Sequence, residues 1–329
     1  MRAQLLNSFG TEPDFAPADI PIPGLKPGHA LVRVAASGVN PIDIKMRAMA
    51  LPFAPKPPAV YGMDMAGVVE AVGEGVEDIA PGDEVFGCVG GAGDLPGTLA
   101  EYVLADVRLL ARKPPCLSML QSAALPLVTI TAWLALFDRA HLAPGAHVLV
   151  HAGAGGVGHV AVQLAKAHGA VVSTTVSGER KAELARRFGA DNVIDYRQED
   201  PAAYIQRLTG GQGFDVVFDT VGGATLDASL AAAKSLGNVA SINARSTHDL
   251  SPMHAKGLTL SVVFMLLPLL SGVGRERYGA ILSAAAELAC MGRLTPLLDA
   301  ERFGLDQIGQ AQAHLASGKA VGKVVVEIG

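Results

Sequence analysis

The sequence predicts an α/β protein, a doubly wound parallel sheet joined to an irregular β domain. From about Leu117 onward, Ala-rich and Leu-rich segments with helical spacing alternate with short β-branched runs, the pattern of strand–helix–strand units. One such run, residues 147–151, leads into Gly153-Ala154-Gly155-Gly156-Val157-Gly158 and then into a segment with helical spacing. The first 110 or so residues are instead rich in Gly and Pro, with short apolar runs between turn signals, as in a small irregular β domain. A chain of 329 residues that is 50% hydrophobic exceeds the usual size of one core, so two domains are expected.

In chain order, residues 30–34 and 66–72 read as strands, a tight turn at 81–83 feeds another, and 99–104 reads as a fourth. After the glycine loop come a helix over 157–168, a strand over 170–176, and a helix over 181–188 closed by Gly189. Residues 192–195, 214–219 and 238–242 continue the alternation as strands. The longest apolar stretch, 258–270, is too short to span a bilayer and contains Pro268 and Ser261. The tail carries a helix near 305–316 and then a strand over 323–328, which must find a sheet and can return to the N-terminal β domain.

Composition narrows the function. A net charge of -5, with no run of Lys and Arg, offers no field for nucleic acid. The cysteines are only Cys88, Cys116 and Cys290, far apart and odd in number. That argues against a disulfide framework and against a cysteine-rich zinc knuckle, and favours a reducing, cytoplasmic setting. The N-terminus has no secretory signal pattern, and no membrane partner is expected.

A strand that turns into a helix through glycines lets the backbone approach a pyrophosphate, to which the helix N-terminus offers free N–H groups. Gly153, Gly155, Gly156, Val157 and Gly158 are therefore expected to bind a nicotinamide dinucleotide, although a glycine turn kept only for helix packing gives the same pattern. The end of the next strand separates NAD from NADP, because an acidic group there binds the ribose hydroxyls. Val176 is placed at that end, with Ser177, Arg180 and Lys181 just beyond, so NADPH is favoured. Two alternatives remain open: a longer strand would bring Glu179 to the ribose, and Arg180 and Lys181 also fit a solvated first helical turn.

These residues resemble the zinc-independent, quinone oxidoreductase-like branch of the medium-chain dehydrogenases and reductases. The likeness rests on Gly155-Gly156-Val157-Gly158 with Gln163 and Lys166, and on Val39-Asn40-Pro41-Ile42-Asp43 followed by Arg47. Pro81-Gly82-Asp83-Glu84-Val85 and the closing run from Ser317 to Val325 add to it. The resemblance implies a GroES-like catalytic domain over 1–125 and 268–329, a Rossmann domain over 126–267, and an active-site cleft at their junction. It also implies a homodimer formed through the Rossmann domain near residues 259–264.

Zinc-using relatives place a Cys and a His where this chain has Asn40 and Met63, neither a credible zinc ligand in such a site, so no metal is expected. His141, His147, His159 and His168 sit singly and read as surface histidines rather than ligands. Without a metal, hydride transfer suits a small conjugated acceptor, a quinone or an enone, which spreads the arriving charge. A 2-enoyl thioester reductase and a non-enzymatic NADPH-binding protein are the alternatives. By resemblance, Asn40 and Asp43 line the nicotinamide end and Thr131 contacts its ring or ribose. Tyr196 serves the adenosine end, Ser177 and Lys181 the 2′-phosphate, and Asn243 and Lys323 the nicotinamide half. Asn-Pro-x-Asp is also ordinary turn chemistry. Lys45 stands where many relatives carry a substrate-bonding Tyr, and it is expected to orient a carbonyl or to sit on the rim.

Overall fold

The computed structural model describes all 329 residues, which gather into two compact units. One comprises Met1–Leu127, Met265–Gly292 and Pro296–Gly329; the other comprises Val128–Phe264 and Arg293–Thr295.

The first unit is built on a mostly antiparallel sheet whose spine is the strand His29–Gly38. Ala30, Val32, Val34 and Ala36 all point inward, the period-2 pattern of a half-buried strand. The strand pairs with Asp64–Val72 along its length and with Tyr102–Asp106 over its first half. Asp64–Val72 in turn pairs with Glu84–Cys88. The C-terminal strand Val325–Glu327 returns to this sheet, antiparallel, with Val325 opposite Gly38. A smaller sheet holds Phe15–Asp19, Arg2–Leu6 and Ala59–Val60.

The second unit contains a six-stranded sheet: β1 (His147–Val150), β2 (Val171–Val176), β3 (Asn192–Asp195), β4 (Phe214–Asp219), β5 (Ala233–Ser241) and β6 (Thr259–Val262). All pairings are parallel, in the order β3-β2-β1-β4-β5-β6. This is the doubly wound Rossmann order, and strand succession reverses at β1, where ligands bind in such sheets. Leu149, Ile194, Tyr204, Phe214, Val217 and Leu230 form its main core cluster, joining strands to the covering helices. The apolar runs 148–150 of β1 and 216–218 of β4 follow from burial on both faces.

Several boundaries differ from the sequence expectations for local reasons. The strand expected over 99–104 is Tyr102–Asp106, because the Leu99 N–H bonds Tyr61 O while Leu99 O accepts from Gln4, tying this stretch to the small sheet. The helix expected from residue 181 starts at Glu179, since Gly178 at φ 90° turns the chain at once. The apolar stretch 258–270 is two elements, β6 and the short helix Leu267–Ser271, which Pro268 opens. No helix is long and apolar enough to cross a membrane.

Candidate functional site

In the first unit, strand register assembles a buried polar cluster. Gly38 lies opposite Asp64, and Asp64 opposite Cys88. The antiparallel return of the tail continues with the Val39 N–H bonding Val324 O, which sets Lys323 beside Asn40. Asn40 caps the helix Pro41–Met49, whose first-turn Asp43 accepts the Asn40 N–H at 2.8 Å.

Asn40 leaves its own carboxamide for the cluster. Its Nδ2 donates to Asp64 Oδ2 at 2.9 Å, and its Oδ1 accepts from the Lys323 ammonium. Lys323 Nζ also donates to Val39 O at 3.2 Å and lies 3.6 Å from Asp64 Oδ2. Asp64 Oδ1 accepts the Leu127 N–H at 2.8 Å. Asn40, Asp43, Met63, Asp64, Cys88 and Lys323 are all buried.

Burial pushes the Asp64 carboxyl up and the Lys323 ammonium down, each opposed by the other's charge. Burial likewise raises Asp43 to about 7, against the opposing pull of the Asn40 N–H. Asp43 Oδ1 is buried with no hydrogen-bond partner. The Cys88 thiol is pushed up by burial and then by Asp64.

Arg47 of the same motif is structural. Its guanidinium bonds Gln312 Oε1 at 3.0 Å and Gly10 O at 2.6 Å, fixing the helix against two distant segments. Lys45 stands exposed on that helix, outside the buried cluster.

In the second unit the glycine loop follows β1 at the strand reversal. A side chain at Gly153 would put its Cβ 2.0 Å from Thr174 Oγ1, and one at Gly158 would sit 2.0 Å from Ala152 O. Both glycines therefore keep the loop close to β2 and to the helix Gly158–Ala167. Thr175 secures the loop, its Oγ1 taking the Ala152 N–H at 3.1 Å and its carbonyl the Gly153 N–H at 3.1 Å. The Gly155 N–H is spent on Ala152 O at 2.8 Å, whereas Gly156 and Val157 donate to no backbone carbonyl in the turn. These two amides at a helix N-terminus suit an anionic pyrophosphate, so the residues present fit a dinucleotide.

Residues beyond the loop form its surroundings. His151 is buried, and burial lowers its imidazole to about 4, against the attraction of Asp219. Asp219 accepts the Val221 and Gly222 N–H groups at 2.9 and 2.8 Å and the Ser241 hydroxyl at 2.8 Å. Asn243 follows β5 and donates to Val221 O at 2.8 Å, so the loops after β4 and β5 brace each other. A chain from Ser246 to His248 (2.6 Å) to Asp227 (2.7 Å) pins the segment beyond.

Val176 is the last residue of β2, and Glu179 is turned to Arg186 at 2.6 Å. Ser177 is half-buried, Lys181 half-buried and Arg180 exposed, and Tyr196 is exposed just past β3. Thr131 is buried on the helix Pro126–Trp133.

Three findings lie outside the sequence reading. Asp64 was not singled out, although a carboxylate inside an apolar strand was the available signal. Arg197 was also passed over; its Nη2 reaches Ser177 O at 3.3 Å, adding a cation beside β2's end that only the fold brings there. His159 is buried rather than on the surface, its Nδ1 2.9 Å from Gly155 O and its ring against Phe188. Gln163 and Lys166 prove to be scaffolding. Gln163 bonds the Thr295 backbone in both directions, at 2.8 and 3.0 Å, and Lys166 pairs with Asp191 at 2.5 Å. No group of three or more His, Cys, Asp or Glu side chains gathers in a way that could hold a metal ion.

Known proteins share this organisation. The family model for the alcohol dehydrogenase GroES-like domain matches residues 26–115, and that for zinc-binding dehydrogenases matches residues 156–282. A quinone oxidoreductase from Pongo abelii is 30% identical over 310 residues, covering 94% of this chain and 92% of the relative. A 2-methylene-furan-3-one reductase from Solanum lycopersicum is 32% identical over 316 residues, covering 94% and 74%. An alcohol dehydrogenase superfamily protein from Novosphingobium aromaticivorans superposes with a TM-score of 0.96 at 42% identity, with 100% of both chains covered. A GroES-like domain and a Rossmann sheet with a pyrophosphate-fitting loop, carried in one chain, define an oxidoreductase of the nicotinamide-using class. The chain belongs to the medium-chain dehydrogenase/reductase superfamily, in its quinone oxidoreductase-like branch.

Proposed function

We propose that this chain is an NADPH-dependent reductase that delivers hydride to a quinone or a conjugated enone without zinc. The observation that carries this reading is the buried Asn40–Lys323–Asp64 network. Zinc is held by a Cys thiolate, a neutral His nitrogen or a carboxylate oxygen with a lone pair free for it. Here Met63 is apolar, Asn40 Oδ1 is taken by an ammonium, and the charge of Asp64 faces the cation of Lys323. The donor set does not fit zinc, so the acceptor must stabilise its own developing charge, as conjugated carbonyls do.

Bound NADPH would supply the hydride. Gly153, Gly155, Gly156, Val157 and Gly158 would hold its pyrophosphate, Thr131, Asn243 and Lys323 its nicotinamide half, and Tyr196 its adenosine. Ser177, Arg180 and Lys181, joined by Arg197, offer hydroxyl and cationic partners for a 2′-phosphate, with Glu179 turned to Arg186. Asn40 and Lys323 orient the reacting end. Asp43, with a pKa of about 7, is the carboxyl in this cluster able to exchange a proton near neutrality. Lys45 remains a rim cation.

Similarity to a quinone oxidoreductase and to a 2-methylene-furan-3-one reductase supports a conjugated acceptor. The unpaired outer edge of β6, with Val262 half exposed, supports a homodimer, which the native mass of the assembly in solution checks. The functional test is NADPH consumption with quinones, short enones and enoyl thioesters in the presence of a chelator. Turnover with a quinone or enone is expected. No turnover with any of them refutes the reading, and loss of activity on chelation refutes its zinc-free form.

A further inference from the structure

Cys116 and Cys290 are separated by 174 positions in sequence, yet their exposed thiols lie 3.3 Å apart within the first unit. Two sets of contacts fix this approach. The helix Glu276–Cys290 runs along the segment after Asp106: Arg275 bonds Asp106 Oδ2 at 3.0 Å, and a Cβ at Gly279 would lie 2.7 Å from Arg108 O and 2.9 Å from Leu110 O. Past Arg112 the chain turns tightly, with the Leu117 N–H on Pro114 O at 3.1 Å and Lys113 Nζ on Leu117 O at 2.6 Å. The helix ends at Cys290, its cap Met291 bonding Glu287 O at 3.0 Å, and Gly292 turns away at φ 70°. Both sulfurs are thus held at the ends of supported elements, and about 1.2 Å of further approach reaches bonding distance.

We propose that Cys116 and Cys290 form a redox site, at which small disulfides of the glutathione type convert the two thiols into an intramolecular disulfide. One cysteine thiolate attacks a sulfur of the small disulfide, giving a mixed disulfide and releasing one small thiol. The other cysteine gives its proton to solvent, attacks the protein sulfur of the mixed disulfide, and expels the second small thiol. The protein loses two electrons and two protons, and the small disulfide becomes two thiols. Ring closure outruns attack of the resolving cysteine on a second small disulfide because its sulfur is already in place beside the mixed disulfide. Cys88 is buried and its thiol pushed up, so it takes no part. The new bond clamps the end of the helix to the turn after Arg112.

The test treats the reduced full-length protein with oxidised glutathione, followed by thiol titration, intact mass and non-reducing peptide mapping. Expected are the loss of two titratable thiols, a linked Cys116–Cys290 peptide pair and bound glutathione on less than about a tenth of the protein. The midpoint of thermal unfolding should rise by about 5 °C and fall back on reduction. Cys116→Ser and Cys290→Ser should each take up one glutathione instead and show no such rise. Wild type carrying two glutathiones, or disulfide-linked dimers without the internal pair, overturns the site. A correctly linked protein with an unchanged midpoint overturns the clamp.

Discussion

Lys323→Met tests the internal-cation argument most directly. The substitution keeps length and apolar bulk but removes the ammonium that bonds Asn40 Oδ1 and Val39 O and faces Asp64 at 3.6 Å. At an effective dielectric of about 20, a unit-charge pair at that distance is worth roughly 5 kcal/mol before desolvation is counted. Removing one partner of a buried pair costs about 3–5 kcal/mol, because the remaining charge stays buried and unpaired. The expected loss for the variant is therefore about 3–5 kcal/mol at pH 8. It should shrink toward pH 5: an unpaired Asp64 has its folded pKa raised further above the unfolded value. A carboxyl raised in this way stabilises most when protonated and loses that contribution as pH rises. Lys323→Met/Asp64→Asn should recover most of the loss. Urea unfolding of both variants at pH 5 and pH 8 measures this, following the first unit's transition. A single-variant loss below about 1 kcal/mol, or strictly additive losses in the double variant, would refute the pairing.

Asp43→Asn should flatten the pH dependence of stability. With the folded carboxyl at about 7, above its unfolded value near 3.9, wild type loses up to about 4 kcal/mol as pH rises from 4 to 7; parallel wild-type and variant curves would count against this. Gly158→Ala, whose Cβ would sit 2.0 Å from Ala152 O, should weaken dinucleotide binding at least about 10-fold while the protein stays folded. Gly24→Ala, in open space, should leave binding unchanged, and a titration of NADPH fluorescence with each variant checks both. Lys181→Glu and Arg197→Glu should each weaken NADPH by roughly 10-fold or more with little effect on NADH; equal effects on both cofactors would move the 2′-phosphate elsewhere.

What could be read before folding was whatever depends on neighbours in sequence. The glycine loop and the end of β2 at Val176 are local patterns, and each stands where its spacing placed it, whereas Asn-Pro-x-Asp, read as turn chemistry, opens a helix in which Asp43 accepts the Asn40 N–H. What escaped depends on strand register. Asp64 reaches the cluster because Gly38 lies opposite it, and Arg197 reaches Ser177 because β3 runs beside β2. His159 looked like a surface histidine because helical spacing alone does not say which face a glycine-opened helix buries. Cys116 and Cys290 looked like unrelated thiols because no sequence rule connects positions 174 apart.

Register also explains why the chain's tail matters to chemistry laid down near its start. Val325 opposite Gly38 is a backbone fact, fixed by a three-residue strand, yet it delivers the ammonium of Lys323 to Asn40. A slip of one residue would turn that side chain to the other face of the sheet and leave Asp64 buried without a cation. The apolar residues Val324 and Val326 therefore do more than fill core space. By burying both, the sheet selects the register at which Lys323 meets Asp64, and the electrostatics of the site follow from packing.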